Sequence, residues 1–198
     1  MKPKVLRNKA VADVYKCLAS GDIGTLSEED LTPERMVRVT PEGDTPLHAA
    51  GRSGVLPSLP AQLLRHQYLL LTDSNGKSVY CAAIEGGCFE SLPNHLHTEE
   101  MLLLKSSSGE ALILDIVRHG MLACIHRAAL TPKVLASVDM DGSNVLVVAA
   151  QEGCLHCIPD AAISYELVTA TNLCAKNVFD YLRDDKFELD RIEKLIWS

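Results

Sequence analysis

Apolar side chains recur along this 198-residue chain in columns that advance by 33 positions. Gly21, Gly54, Gly87, Gly120 and Gly153 mark the step. Seven residues before each stand Val14, Leu47, Tyr80, Ile113 and Leu146, and two after stand Ile23, Leu56, Phe89, Leu122 and Leu155. Five after stand Leu26, Leu59, Leu92, Ile125 and Ile158; fifteen after, Met36, Leu69, Leu102, Leu135 and Val168. With 47% of the residues hydrophobic, one such column arises by chance with a probability of about 0.02, and four with about one in several million. A second series, Gly43, Gly76, Gly109 and Gly142, keeps the same step and reaches Ala175.

The pattern predicts the same elements in every period. In Gly43-Asp44-Thr45-Pro46-Leu47-His48-Ala49-Ala50 the glycine permits a tight turn. Thr45 caps a helix with Pro46 at its first position, and Gly54 ends it. Leu47 and Ala50 form an apolar stripe on that helix. Leu56 and Leu59 form a second apolar pair, which Pro60 stops; Pro93 and Pro159 share its column. Five residues on, Thr32-Pro33-Glu34, Thr98-Glu99-Glu100, Thr131-Pro132-Lys133 and Ser164-Tyr165-Glu166 offer a new hydroxyl cap, whereas Arg65-His66-Gln67 breaks the pattern. Each period is therefore two short helices, a third helical turn and a connecting loop, and the fold class is all-α.

These residues resemble the ankyrin repeat, most closely in Gly43-Asp44-Thr45-Pro46-Leu47-His48-Ala49-Ala50 with Gly54, and in Asp141-Gly142-Ser143-Asn144 through Ala149-Ala150 and Gly153. The other units depart from the Thr-Pro-Leu-His core, and Leu-Pro or Ile-Pro cuts the second helix short. The resemblance implies one solenoid of stacked helix pairs over 1–198: an N-terminal capping repeat at 10–42, internal repeats at 43–75, 76–108, 109–141 and 142–174, and a capping helix at 175–198. In that last segment the helix is expected to run on to Trp197 with Phe187, Leu189, Ile192 and Leu195 as its apolar face. The family binds proteins through its concave face, at loop tips and at the end of the first helix. By column, the resemblance places partner contacts at Glu42, Asp44, Arg52, Ser53, Asn75, Lys77, Glu85, Ser108, Glu110, Arg118, His119, Asp141, Ser143, Gln151 and Glu152. It also gives His48 a structural role, bonding backbone in the turns.

Charge narrows the choice of partner. The net charge is −7; residues 1–9 hold Lys2, Lys4, Arg7 and Lys9 and no acid, which leaves −11 for the rest. An acidic body offers no face for phosphates, so nucleic acid is excluded as a broad partner, and the basic start reads as a solvated tail. The longest run without a charged residue, 53–64, is twelve residues broken by Pro57 and Pro60, too short to cross a membrane. Seven cysteines spread along the chain suit reduced thiols in a reducing compartment.

Candidate chemistry is sparse. Cys154, His156 and Cys157 have metal-binding side chains, but a closed zinc site needs four ligands, and Cys88 and Cys154 or Cys124 and Cys157 simply share repeat columns. His95 and His97 lie beside Pro93 in a connecting segment and are expected to be solvated rather than to act as ligands. Asp115 stands in the column of Ala49, Ala82 and Val148: packed there it needs a partner such as Arg118, one turn on, and facing the concave surface it is a candidate contact, the ion pair being the favoured reading. No phosphate-binding loop, nucleophile elbow or HExxH motif is present. The expectation is a non-enzyme without cofactor or metal: a cytoplasmic monomer, in its own cell or a host cell, that binds a protein as adaptor, inhibitor or effector. A zinc- or thiol-dependent sensor and an acidic nucleic-acid mimic are the alternatives.

Overall fold

The computed structural model describes residues 9–105 and 109–197. Lys2, Lys4 and Arg7 of the basic start, and Ser108 of the expected contacts, lie outside the described residues. Two compact units divide the chain, Met1–Leu92 and Pro93–Ser198. Among the described residues the fold is all-α, with isolated bridges (Thr72 to Ser78, Lys105 to Ala111, Val138 to Asn144) in place of a sheet.

The first unit holds α1 (Val11–Ala19), α2 (Pro33–Met36), α3 (Pro46–Arg52), α4 (His66–Leu69) and α5 (Val79–Glu85). Short 3-10 turns lie at Leu56–Ser58, Ala61–Leu63 and Phe89–Ser91. The second holds α6 (Glu99–Leu102), α7 (Leu112–Arg118), α8 (Pro132–Leu135), α9 (Val145–Gln151), α10 (Tyr165–Thr169), α11 (Val178–Tyr181) and α12 (Lys186–Trp197). Its 3-10 turns are Asn94–Leu96, Leu122–Cys124, Arg127–Ala129, Leu155–Cys157 and Asp160–Ala162. The starts of α3, α5, α7 and α9 are 33 residues apart, and so are the turns that follow them.

Local chemistry accounts for the boundaries. The side chains of Thr45, Ser78 and Asn144 accept the amides of His48, Cys81 and Val147 at the starts of α3, α5 and α9. Thr98, Thr131 and Ser164 do the same for α6, α8 and α10. The broken unit still forms α4, although Arg65 gives no side-chain cap; His66 Nδ1 lies 3.0 Å from the Tyr80 hydroxyl and ties the helix to α5. Each second-series glycine has a positive φ, and Ala175 adopts the same conformation at φ 56°, a strained geometry for a residue with a Cβ.

The core follows the columns. Val14, Leu47, Tyr80, Ile113 and Leu146 have no exposed surface, and of all four columns only Ile23 and Leu26 are half-buried. Each such burial contributes about 1.5–3 kcal/mol. The central helices are buried more fully than a one-sided stripe predicts: 46–51, 79–84 and 145–150 are buried throughout. For 46–51 and 145–150 the reason is packing on both sides, since α3 contacts both α1 and α5, and α9 contacts both α7 and α11.

Four expectations need correction. The C-terminal segment is not one helix: α11 ends at Tyr181 and α12 begins at Lys186. Nor does Phe187 belong to its inner face, being 77% exposed. Ile192 is buried, and Glu188 rather than Phe187 turns inward with it, because Arg191 neutralises the carboxylate at 2.8 Å. Nor are Lys9 and His97 solvated: the Lys9 backbone amide donates to Asp30 Oδ1 at 3.0 Å and its ammonium to the Thr25 carbonyl at 2.8 Å, and His97 is 4% exposed.

Candidate protein-interaction surface

The turn before each central helix and the last residue of that helix are joined by side chains eight residues apart. Arg52 pairs with Asp44, Lys77 with Glu85, and Arg118 with Glu110. The middle pair reverses the sign of its neighbours. The fourth, Ser143 and Gln151, is uncharged, and Ser143 instead accepts a bond from Asn172 Nδ2 at 3.0 Å. Arg52 also reaches Asp73 at 3.7 Å, and Arg118 reaches Asp139 at 3.1 Å and Asp115 at 3.8 Å. The expected Asp115–Arg118 pair therefore exists within a larger cluster.

The arrangement commits much of the expected contact set to internal bonds. Asp44, Glu110 and Ser143 are buried. Tyr15 donates to Asp44 at 2.9 Å, and the Met140 amide donates to Glu110 at 3.0 Å. The hydrogen bond from Arg118 holds the Glu110 carboxyl below its usual range, and Glu85 raises Lys77 above its own. Ser53 Oγ donates to the Ala50 carbonyl at 3.3 Å, and His119 Nδ1 lies 2.8 Å from the Asp115 carbonyl. Glu42, Asn75, Asp141, Gln151 and Glu152 are exposed, and none of the ion pairs among the described residues includes them.

Side-chain caps brace the turn tips. Asp139 Oδ1 accepts the amides of Asp141 (3.0 Å) and Ser143 (2.8 Å). Asn172 Oδ1 accepts those of Cys174 (3.0 Å) and Lys176 (3.1 Å). The Leu173 amide donates to the Asp141 carbonyl at 2.8 Å and joins the two tips. On this pair of tips stand Met140 and Leu173, 33 residues apart, 76% and 80% exposed, with Val138 beside them at 51%. The ankyrin resemblance placed contacts by column at the loop tips and passed over these apolar residues. The signal available was the column itself, where Ser74 gives way to Met140 and Leu173.

His48 Nδ1 lies 2.8 Å from Thr45 Oγ1, a hydroxyl–imidazole pair, but both residues are buried and Nε2 is engaged with the Lys77 carbonyl at 3.1 Å. Burial lowers the His48 pKa, so the imidazole is neutral and serves the turns. The seven cysteines are free thiols. Burial, with the adjoining Cys157 and Glu152, pushes the Cys154 thiol up to about 11, and burial raises Cys157 also. Both shifts oppose the thiolate that a metal ligand or redox sensor needs. Among the described residues no three His, Cys, Asp or Glu side chains are grouped to hold a metal ion, and no helix is long and apolar enough to cross a membrane.

No protein-family model matches the chain. No curated protein matches it by sequence. Among solved structures, a chain from the complex of a predatory endopeptidase of Bdellovibrio bacteriovorus with an immunity protein is similar in fold, with a TM-score of 0.60 and 14% identity. The likeness covers 96% of this chain and 98% of that one.

Proposed function

We propose that this protein is a non-catalytic, ankyrin-like repeat module that binds a protein partner through its turn tips, acting as an inhibitor or immunity protein in the cytoplasm. One observation carries the reading: Met140 and Leu173 stand 76% and 80% exposed on adjacent turns that side-chain caps brace. Large apolar side chains kept outward on a preorganised frame favour burial against another protein. The exposed Asp141 between them gives the patch an acidic rim, with Gln151 and Glu152 at the end of α9 as further polar contacts.

The 33-residue recurrence of helix and turns supports the ankyrin-like description, and the fold's likeness to a chain from an endopeptidase–immunity complex supports an inhibitory role. A peptidase is accordingly the first partner class to test. Affinity capture from lysate of the source cell, read by mass spectrometry, would compare wild type with Met140→Ser/Leu173→Ser after matched thermal melts. The expected result is a partner retained by wild type and reduced at least tenfold with the variant, together with inhibition of that partner if it is a peptidase. Equal retention by both proteins would remove the turn tips from the binding surface.

A further inference from the structure

The last helical unit departs from the period, and a cavity opens where it does. α11 starts at Val178, 33 residues after Val145 at the start of α9, yet it stops at Tyr181, whereas a helix as long as α9 would reach Asp184. The sequence explains the early stop. Lys186 replaces the expected glycine, and Asp185 accepts the Glu188 amide at 3.1 Å to start α12 instead. The missing turn leaves the end of α9 facing a cavity of about 390 Å³, at the small end of the range for ligand pockets and roomy enough for one long side chain.

Its walls have two characters. Ala150, Leu155 and Leu182 are buried apolar residues, with the Tyr181 ring beside them. At the mouth are Gln151 and the exposed carboxylates of Asp184 and Asp185, neither of them in an ion pair among the described residues. Glu188 also lines the cavity, but Arg191 neutralises it; the opposing charges are Lys186 and Lys176, whose ammonium lies 5.5 Å from the Tyr181 ring centroid.

We propose that this cavity seats a basic side chain, arginine or lysine, presented by a protein partner. The methylene stem lies against Leu155 and Leu182, and the charged head meets Asp184 and Asp185 at the mouth. The inference rests on the protein-binding reading but can fail separately from it.

The test titrates the ¹⁵N-labelled full chain with acetyl-Ala-Arg-Ala-amide and with its norleucine counterpart, followed by NMR. The expected result is saturable shifts confined to the amides of Gln151, Gly153 and 182–188, at least fivefold weaker affinity for the norleucine peptide, and at least threefold weaker arginine binding by Asp184→Asn. Three results would each overturn the inference: no saturable shift up to about 20 mM, equal affinity for both peptides, or shifts scattered over other acidic residues. Arginine binding with no partner captured from lysate would leave the cavity's preference for a basic side chain standing and overturn its assignment to a protein partner. A partner held by Met140 and Leu173 while both peptides leave the cavity untouched would sink this inference alone.

Discussion

The Arg118 guanidinium lies 3.1 Å from the carboxylate of Asp139, which is itself the residue that organises the following turn by accepting the amides of Asp141 and Ser143. One side chain at the end of α7 thus connects its own turn, through Glu110, to the next. Arg52 has the same relation to Asp44 and Asp73. Arginine at these positions is first a structural connector.

Arg118→Ala should therefore destabilise the protein by about 1–2 kcal/mol, because it removes the guanidinium hydrogen-bonded to the buried Glu110 while the site stays partly hydrated. Gln151→Ala, at the equivalent position without an ion pair, should stay within about 0.5 kcal/mol of wild type. Urea unfolding of the two variants checks this; equal losses would mean that Arg118 contributes little beyond its packing.

Acidification should destabilise the fold before its carboxylates titrate. Burial lowers the pKa of both His48 and His97 below 6.5. The folded state then binds fewer protons than the unfolded chain, so stability is full above about pH 6.5 and falls as the pH drops below it. Each histidine contributes a slope of up to about 1.4 kcal/mol per pH unit. The carboxyls of Glu99 and Glu110 are lowered from 4.5, so their stabilisation is lost only at more acid pH. Urea midpoints measured between pH 7 and 5 should decrease in wild type and decrease less in His48→Gln. An unchanged slope in the variant would show that His48 protonates as readily folded as unfolded.

Adjacent glycines at the end of α5 should respond differently to alanine. Gly86 has an ordinary φ of −82°, but a Cβ there would come within 2.0 Å of the Gly51 carbonyl oxygen of α3. Gly87 has φ +66° with nothing within 4 Å. Gly86→Ala should cost about 3 kcal/mol by forcing α3 and α5 apart, and Gly87→Ala about 1 kcal/mol from the left-handed backbone alone. Thermal melts of the pair decide it, and a milder effect at Gly86 would overturn the packing account.

Much of this molecule could be read along the chain because its period is local information. The spacing of Leu47, Tyr80, Ile113 and Leu146 placed α3, α5, α7 and α9, and hydroxyl caps such as Thr98 and Thr131 placed the short helices that follow the proline-bounded turns. Even the second-series position at Ala175 was visible, and it keeps the positive φ of its glycine counterparts. Only the tertiary structure decided the fate of the polar positions. Asp44, Glu110 and Ser143 look like exposed loop residues in sequence, yet neighbouring turns and helix ends bury them, since a hydrogen bond to the next turn depends on distance in space and not on residue type. The same applies at the C-terminus. Helical periodicity alone offered Phe187 as an inner residue, but the Arg191–Glu188 pair and the early end of α11 set the rotation of α12, turning Phe187 outward and leaving the cavity beside α9. Sequence period determines where elements begin and which columns are apolar; which polar groups are consumed and which remain exposed is settled by contacts between elements that no single stretch of chain contains.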